Sequence, residues 1–241
     1  QHLGLRLGAT GRADGVCANV AFPSPSEVVA DVMRAAGADP LAVRAWQPAS
    51  LTWRLLDLVD RGLPAAAQPL AARTQAAGDR RLVPLGLLAQ QLHRYAVHRP
   101  DMVLDWLDGG CSDGAGGDLD DADAWQAAVM RLLAADIDRP AFPQQVVDTV
   151  AALDAGAPTP PGLQRLALFG FTAIPSTQLA VLAALARRID VHLLLLHPSA
   201  ADWAAVHDVA GAVDDRGLPI LPARRDVALP DPRNRLLRAL R

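Results

Sequence analysis

The sequence predicts an α/β fold, a parallel sheet whose chain is interrupted by an inserted all-helical block. Three observations lead there. Apolar runs of strand length stand near the two ends, while residues from about Leu41 to Gly156 repeat at helical spacing. A hard break, Pro158-Thr159-Pro160-Pro161-Gly162, separates that helical pattern from a strand–helix–strand unit. One sheet built from both ends explains the order more simply than two. The expected division is residues 1–40 as the first part of the α/β domain, 41–157 as the helical insertion, and 158–241 as the second part of the α/β domain.

The first strand is expected over Val16–Phe22, ended by Pro23. Ser24-Pro25-Ser26-Glu27 then opens a helix: Ser24 caps, Pro25 suits the first turn and Glu27 closes a capping box. Val28, Val29, Val32 and Met33 follow on one face, and Gly37 ends it. Ser50 precedes the apolar set Leu51, Leu55, Leu58 and Val59, with Gly62 and Pro64 as the stop. Leu85, Leu88, Leu92 and Tyr95 mark a further helix that Pro100 must end. Two more run over Trp125–Ala135 and Gln144–Ala155, and the Gly- and Asp-rich stretch Asp108–Asp123 reads as an exposed loop. Its carboxylate spacing does not match an EF-hand. After the proline break come a strand at Leu166–Phe171, a helix from Ser176 ending at Arg187 and Arg188, and a strand at Val191–Leu196. Strands joined through a helix are parallel. Their unbroken apolarity predicts a sheet covered on both faces.

Composition bounds the function. Half of the 241 residues are apolar, yet no run approaches the length of a membrane span, so a soluble protein is expected. The start lacks both an initiator Met and a signal-peptide pattern, which reads as an internal fragment of a longer cytoplasmic chain. Cys17 and Cys111 do not make a disulfide framework. All 23 basic residues are Arg, so the chain holds no P-loop lysine, Schiff base or lysine general base. A net charge of −3 supplies no bulk field for nucleic acid, though a local basic channel is compatible with it.

Catalytic chemistry finds few residues to use. His2, His93, His98, His192, His197 and His207 form no HExxH pair, and there is no CxxC, so no metal site is expected. No GxSxG elbow is present, and neither Gly-containing loop ends in GK[ST]. In superfamily 1 helicases an apolar strand of the Leu166–Phe171 kind ends in an Asp-Glu pair that serves Mg²⁺ and the attacking water. Here the strand end reads Phe169-Gly170-Phe171-Thr172, without a carboxylate. No catalytic residue is therefore assigned.

In chain order, QHLGLRLG…CANVAFPSP, LTWRLLDLV, LHRYAVHRPDMVLDW, Trp125-Gln126 and PPGL…LALFGFTAIP with DVHLLLLHP together resemble the RecC family, the gamma-type subunit of exodeoxyribonuclease V. QHLGLRLG…CANVAFPSP is similar to that family's QWLxxxL…AANxxFPLP through Gln1, Leu3, Ala18, Asn19, Phe22, Pro23 and Pro25. Leu51–Val59 (LTWRLLDLV) resembles its SWKLM-type helix, and LHRYAVHRPDMVLDW its LFDQYLVYRPDWLxxW. Trp125-Gln126 matches a WQ pair, and PPGL…LALFGFTAIP with DVHLLLLHP matches PPGLPxRVFIFGISALPP and its next strand.

The resemblance implies a helicase-like, P-loop-type domain without a working P-loop. It also implies a non-motor, DNA-handling subunit of a helicase–nuclease complex in double-strand-break repair and homologous recombination. Such a subunit guides the 3′-ended single strand and scans it for Chi. The partners implied are single-stranded and forked duplex DNA and RecB-like and RecD-like subunits, with no membrane. No cofactor is implied in this chain, ATP and Mg²⁺ being used by the partner subunits. Carried over residue by residue, Arg99 matches the Arg of YRPD as a DNA contact, and Gln1 matches the Gln of QWL on the same channel side. His93 and Arg94 share the preceding helix. The sequence departs from the family at Gln90–Arg94, at Ser24 and at Ala30, so recognition of the same Chi sequence is not implied. Two other readings stay open: an active superfamily 1 helicase or ATPase fragment, and a protein-interaction scaffold without DNA, which the pI of 6.0 favours.

Overall fold

The computed structural model describes residues 22–171 and 173–194. Among them the chain is mostly helical, with one two-stranded parallel sheet. The expected strand at Val16–Phe22 lies outside the described residues except for Phe22, which is exposed and not in a strand.

Helix α1 (Pro25–Ala35) begins where the cap chemistry places it. Ser24 Oγ accepts from the Glu27 N–H at 3.3 Å, and Glu27 Oε2 accepts from the Ser24 N–H at 2.6 Å. Gly37, at φ 99°, lets the chain leave in a conformation other residues avoid. Helix α2 (Pro40–Ala45) is capped by Asp39, whose carboxylate accepts from the Leu41 N–H at 2.9 Å. Helix α3 (Pro48–Arg61) starts two residues before Ser50. Pro48 supplies the start, because its missing N–H is one of the donors a first turn leaves unpaired.

Helix α4 (Gln68–Ala76) leads to the long α5 (Leu82–His98). Pro100 ends α5 and opens α6 (Pro100–Leu107), with Arg99 at φ −136° as the joint between them. Helices α7 (Trp125–Ile137) and α8 (Phe142–Asp154) follow the Gly/Asp loop. Strand β1 (Arg165–Phe169), helix α9 (Ser176–Ala186) and strand β2 (Asp190–Leu194) complete the described chain, with Arg165 opposite Asp190 and Phe169 opposite Leu194.

Two apolar cores result. One joins α3, α5, α6 and α7 around Leu55, Leu85, Leu92, Trp106, Met130 and Leu133. The other joins α1, α8, β1 and α9 around Val32, Leu153, Leu168, Val181 and Leu185, with Leu104 of α6 reaching into it. Arg188 ties α9 to α8 by donating to the carbonyls of Leu153 at 2.7 Å and Ala157 at 3.1 Å.

The sheet corrects one expectation. Strand β1 alternates, with Leu166 and Leu168 buried and Arg165, Ala167 and Phe169 exposed, and β2 is exposed along most of its length. One face packs on α9 and the second core, while Phe169 at 56% and Leu194 at 58% exposure stand on the other. The apolar run reflects β-forming side chains without two covered faces among the described residues.

Candidate nucleic-acid interface

Helix α5 is the axis of the candidate site. Leu85, Leu88, Ala89 and Leu92 hold it in the first core. That leaves His93 and Arg94 as neighbours that point about 100° apart, the angular step of an α-helix.

His93 lines a groove of about 530 Å³ between α1, α2 and α5. Val29, Met33, Val43, Val97 and Phe142 give the groove apolar walls, and Ser26, Arg34, Arg44, Gln47 and Gln178 add polar groups. None of its lining residues is Asp or Glu. Arg34 is held by Asp31 at 2.5 Å, and Gln178 Nε2 donates to Ser26 Oγ at 2.9 Å. The Arg44 side chain has no ion-pair partner among the described residues. Burial pushes the His93 pKa below its ordinary value, a hydrogen bond to the Trp46 backbone opposes that shift, and the nearby His98 adds to it. At neutral pH His93 is therefore mainly an uncharged ring that offers one donor and one acceptor.

Arg94 is exposed and borders a different cavity, of about 380 Å³, with Leu87, Gln90, Gln91, Trp125 and Gln126. Trp125 anchors its far wall: the Arg73 guanidinium lies 4.6 Å from the ring centroid, a cation–π contact.

Arg99 lines neither cavity. Half-buried at the α5–α6 joint, it donates through its backbone N–H to Tyr95 O at 2.7 Å and through Nη1 to Gly114 O at 3.4 Å. Its side chain therefore reaches into the 108–123 loop, which is more ordered than its composition implies. Asp105 accepts from the Ser112 N–H at 2.8 Å, Trp106 Nε1 donates to Ser112 O at 2.8 Å, and Arg131 donates to Trp106 O at 3.0 Å and Gly110 O at 2.9 Å.

The structure thus places His93 and Arg94 on one helix but in two cavities, with Arg99 at that helix's end and Gln1 outside the described residues. Sequence reasoning missed Arg44, Gln47 and Trp125 as cavity walls. Arg44 and Gln47 come from a short proline-led helix and its exit turn, which carry no motif; Trp125-Gln126 was visible only as a matched pair. Among the described residues no group of three or more His, Cys, Asp or Glu could hold a metal ion, and no helix is long and apolar enough to cross a membrane.

Comparison with known proteins gives a consistent result. The family model described as RecC, N-terminal domain, matches residues 1–217. The chain is 35% identical over 240 residues to the RecBCD enzyme subunit RecC of Mycobacterium tuberculosis (strain CDC 1551 / Oshkosh), covering 95% of this chain and 20% of that protein. It is 32% identical to the Mycolicibacterium smegmatis subunit of the same name, covering 94% of this chain and 19% of that protein. To the Escherichia coli (strain K12) subunit it is 28% identical, covering 81% of this chain and 18% of that protein. The chain spans about one fifth of the length of the curated relatives it matches. With 217 of its 241 residues matched by the family's N-terminal domain, this chain belongs to the RecC family.

Proposed function

We propose that this chain forms the strand-handling N-terminal region of a non-motor subunit in a RecBCD-type assembly, working beside RecB-like and RecD-like subunits in DNA repair and recombination. The relatives are named as RecBCD enzyme subunits, and the helicase-like origin of the α/β unit belongs to the same proposal. One observation carries the reading: the groove at His93 has Arg34 and Arg44 on its walls and no carboxylate, in a chain whose net charge is −3. A single strand needs cations for phosphate and apolar or planar surfaces for bases, and the groove supplies both. Arg44 and Arg99 contact phosphate in this reading, Arg94 stands beside the track, and neutral His93 and Gln1 face the bases and bias the sequence that passes. ATP and Mg²⁺ are used by the partner subunits.

The test is single-strand affinity of the full-length chain in its assembled complex, measured against salt. Arg44→Ala should weaken binding about equally for all sequences and lower the salt slope by roughly one unit. Unchanged affinity and slope would take the strand out of this groove.

A further inference from the structure

The walls of the His93 groove belong to different cores. Helix α1 is held in the second core through Val28, Val29, Val32 and Met33, while α5 is held in the first through Leu85, Leu88, Ala89 and Leu92. The groove therefore runs along a seam, and its width depends on what joins α1 to α5 across it. The first turn of α9 bonds to both. Thr177, fully buried, donates through Oγ1 to the Val97 carbonyl at 2.9 Å. Gln178, the next residue, donates through Nε2 to Ser26 Oγ at 2.9 Å. Ser26, Val97 and Gln178 all line the groove, and Val97 stands one helical turn beyond His93.

Both bonds suit a positioning role. The Val97 carbonyl lies in the last turn of α5, where the helix offers its carbonyls no donor of its own. Thr177 supplies one, and a part-buried carbonyl that loses its donor must move or stay unpaired. Consecutive residues of a helix point about 100° apart, which is how one turn of α9 reaches both walls. Arg44 stands outside this arrangement, because it comes from α2, which neither bond touches.

We infer that Thr177 and Gln178 are positioning residues of the groove: they fix the α5 wall against the α1 wall, and so set the gap in which His93 meets a nucleobase of the single strand. The group they serve is the base and not the phosphate. Phosphate contacts made by Arg44 follow α2 and tolerate a change of gap, whereas a base edge must meet its hydrogen-bonding partner at about 3 Å. The inference rests on the strand-handling reading of this groove.

The test compares the affinity of the full-length chain, in its assembled complex, for a single strand and for an abasic strand of the same length, which keeps the phosphates and lacks the bases. Thr177→Val should lower the ratio of the two affinities by roughly three- to tenfold, the factor that one hydrogen bond typically contributes. The salt slope should keep its wild-type value, because no phosphate contact is removed. Thr177→Ser, which retains the hydroxyl, should restore the ratio. Gln178→Leu, at a half-buried position, should lower the ratio in the same direction and guards against misfolding of the Thr177 variant. Ser26→Ala should match Gln178→Leu, and the two together should lose no more than either alone. A wild-type ratio in either Thr177→Val or Gln178→Leu overturns the inference and leaves the strand-handling reading standing. So does a Thr177→Ser ratio as low as that of Thr177→Val, or full addition of the Ser26 and Gln178 losses. A wild-type complex that binds both strands alike overturns the base-facing reading of the groove, and the inference with it.

Discussion

His93 is half-buried, and burial favours its neutral form, so its folded pKa lies below the ordinary 6.5. Between that lowered value and 6.5 the unfolded chain binds the extra proton and the folded chain does not, so stability rises with pH across this window and is flat above it. Unfolding in urea should show a loss of stability as pH falls below about 6.5, and His93→Gln should remove that part of the curve. Arg99 poses a different question at the same scale. Its side-chain bond among the described residues, to Gly114 O at 3.4 Å, is long, and a typical bond contributes only about 1 kcal/mol. Arg99→Ala should therefore shift the melting temperature by no more than a few degrees and lower the salt slope of single-strand binding by roughly one unit. A large fall in melting temperature with an unchanged slope would make Arg99 part of the frame.

At the scale of elements, the segment from α6 through the Gly/Asp loop to α7 depends on one close approach. A Cβ at Gly110 would lie 2.2 Å from Asp105 Oδ2, the oxygen that holds the Ser112 N–H. Gly110→Ala should displace that carboxylate and leave a backbone donor unpaired, at a cost of about 1–3 kcal/mol read from thermal or urea unfolding. Gly116→Ala, whose Cβ meets nothing within 4 Å, is the comparison that isolates the clash, because φ 98° gives it only backbone strain. Elements whose causes are local were legible in the sequence: the Ser24–Glu27 capping box, the apolar stripe of α5 and the strand–helix–strand unit after the proline break. The order of the loop was not, because Arg131 and Asp105 impose it from neighbouring helices. The start of α3 carries no polar cap that a sequence could show, since Pro48 sets its first turn after Gln47. The coverage of the sheet was misread because strand-forming residues are apolar whether one face is buried or two.

For the whole molecule, the two cores meet along α5. Thr177 at the start of α9 donates to the Val97 carbonyl near the end of α5 at 2.9 Å, and Leu104 of α6 enters the second core. The candidate site was legible in part. The sequence places His93 and Arg94 on one helix, but their division between two cavities follows from packing against α1, α2 and α7. Arg44 becomes visible only when α2 is laid beside α5. Arg34 and Arg44 line the His93 groove while Asp138 and Asp148 line a cavity beside α8, so a net charge of −3 conceals surfaces of opposite sign. The most direct test of the strand-handling claim is photo-cross-linking of 5-iododeoxyuridine-substituted single strands in the assembled complex, mapped by mass spectrometry. The account predicts cross-links to peptides holding Ser26–Gln47 and His93–Val97, reduced in Arg44→Glu. Cross-links confined to the α8 face, or present in neither place while the complex still binds the strand, would contradict it.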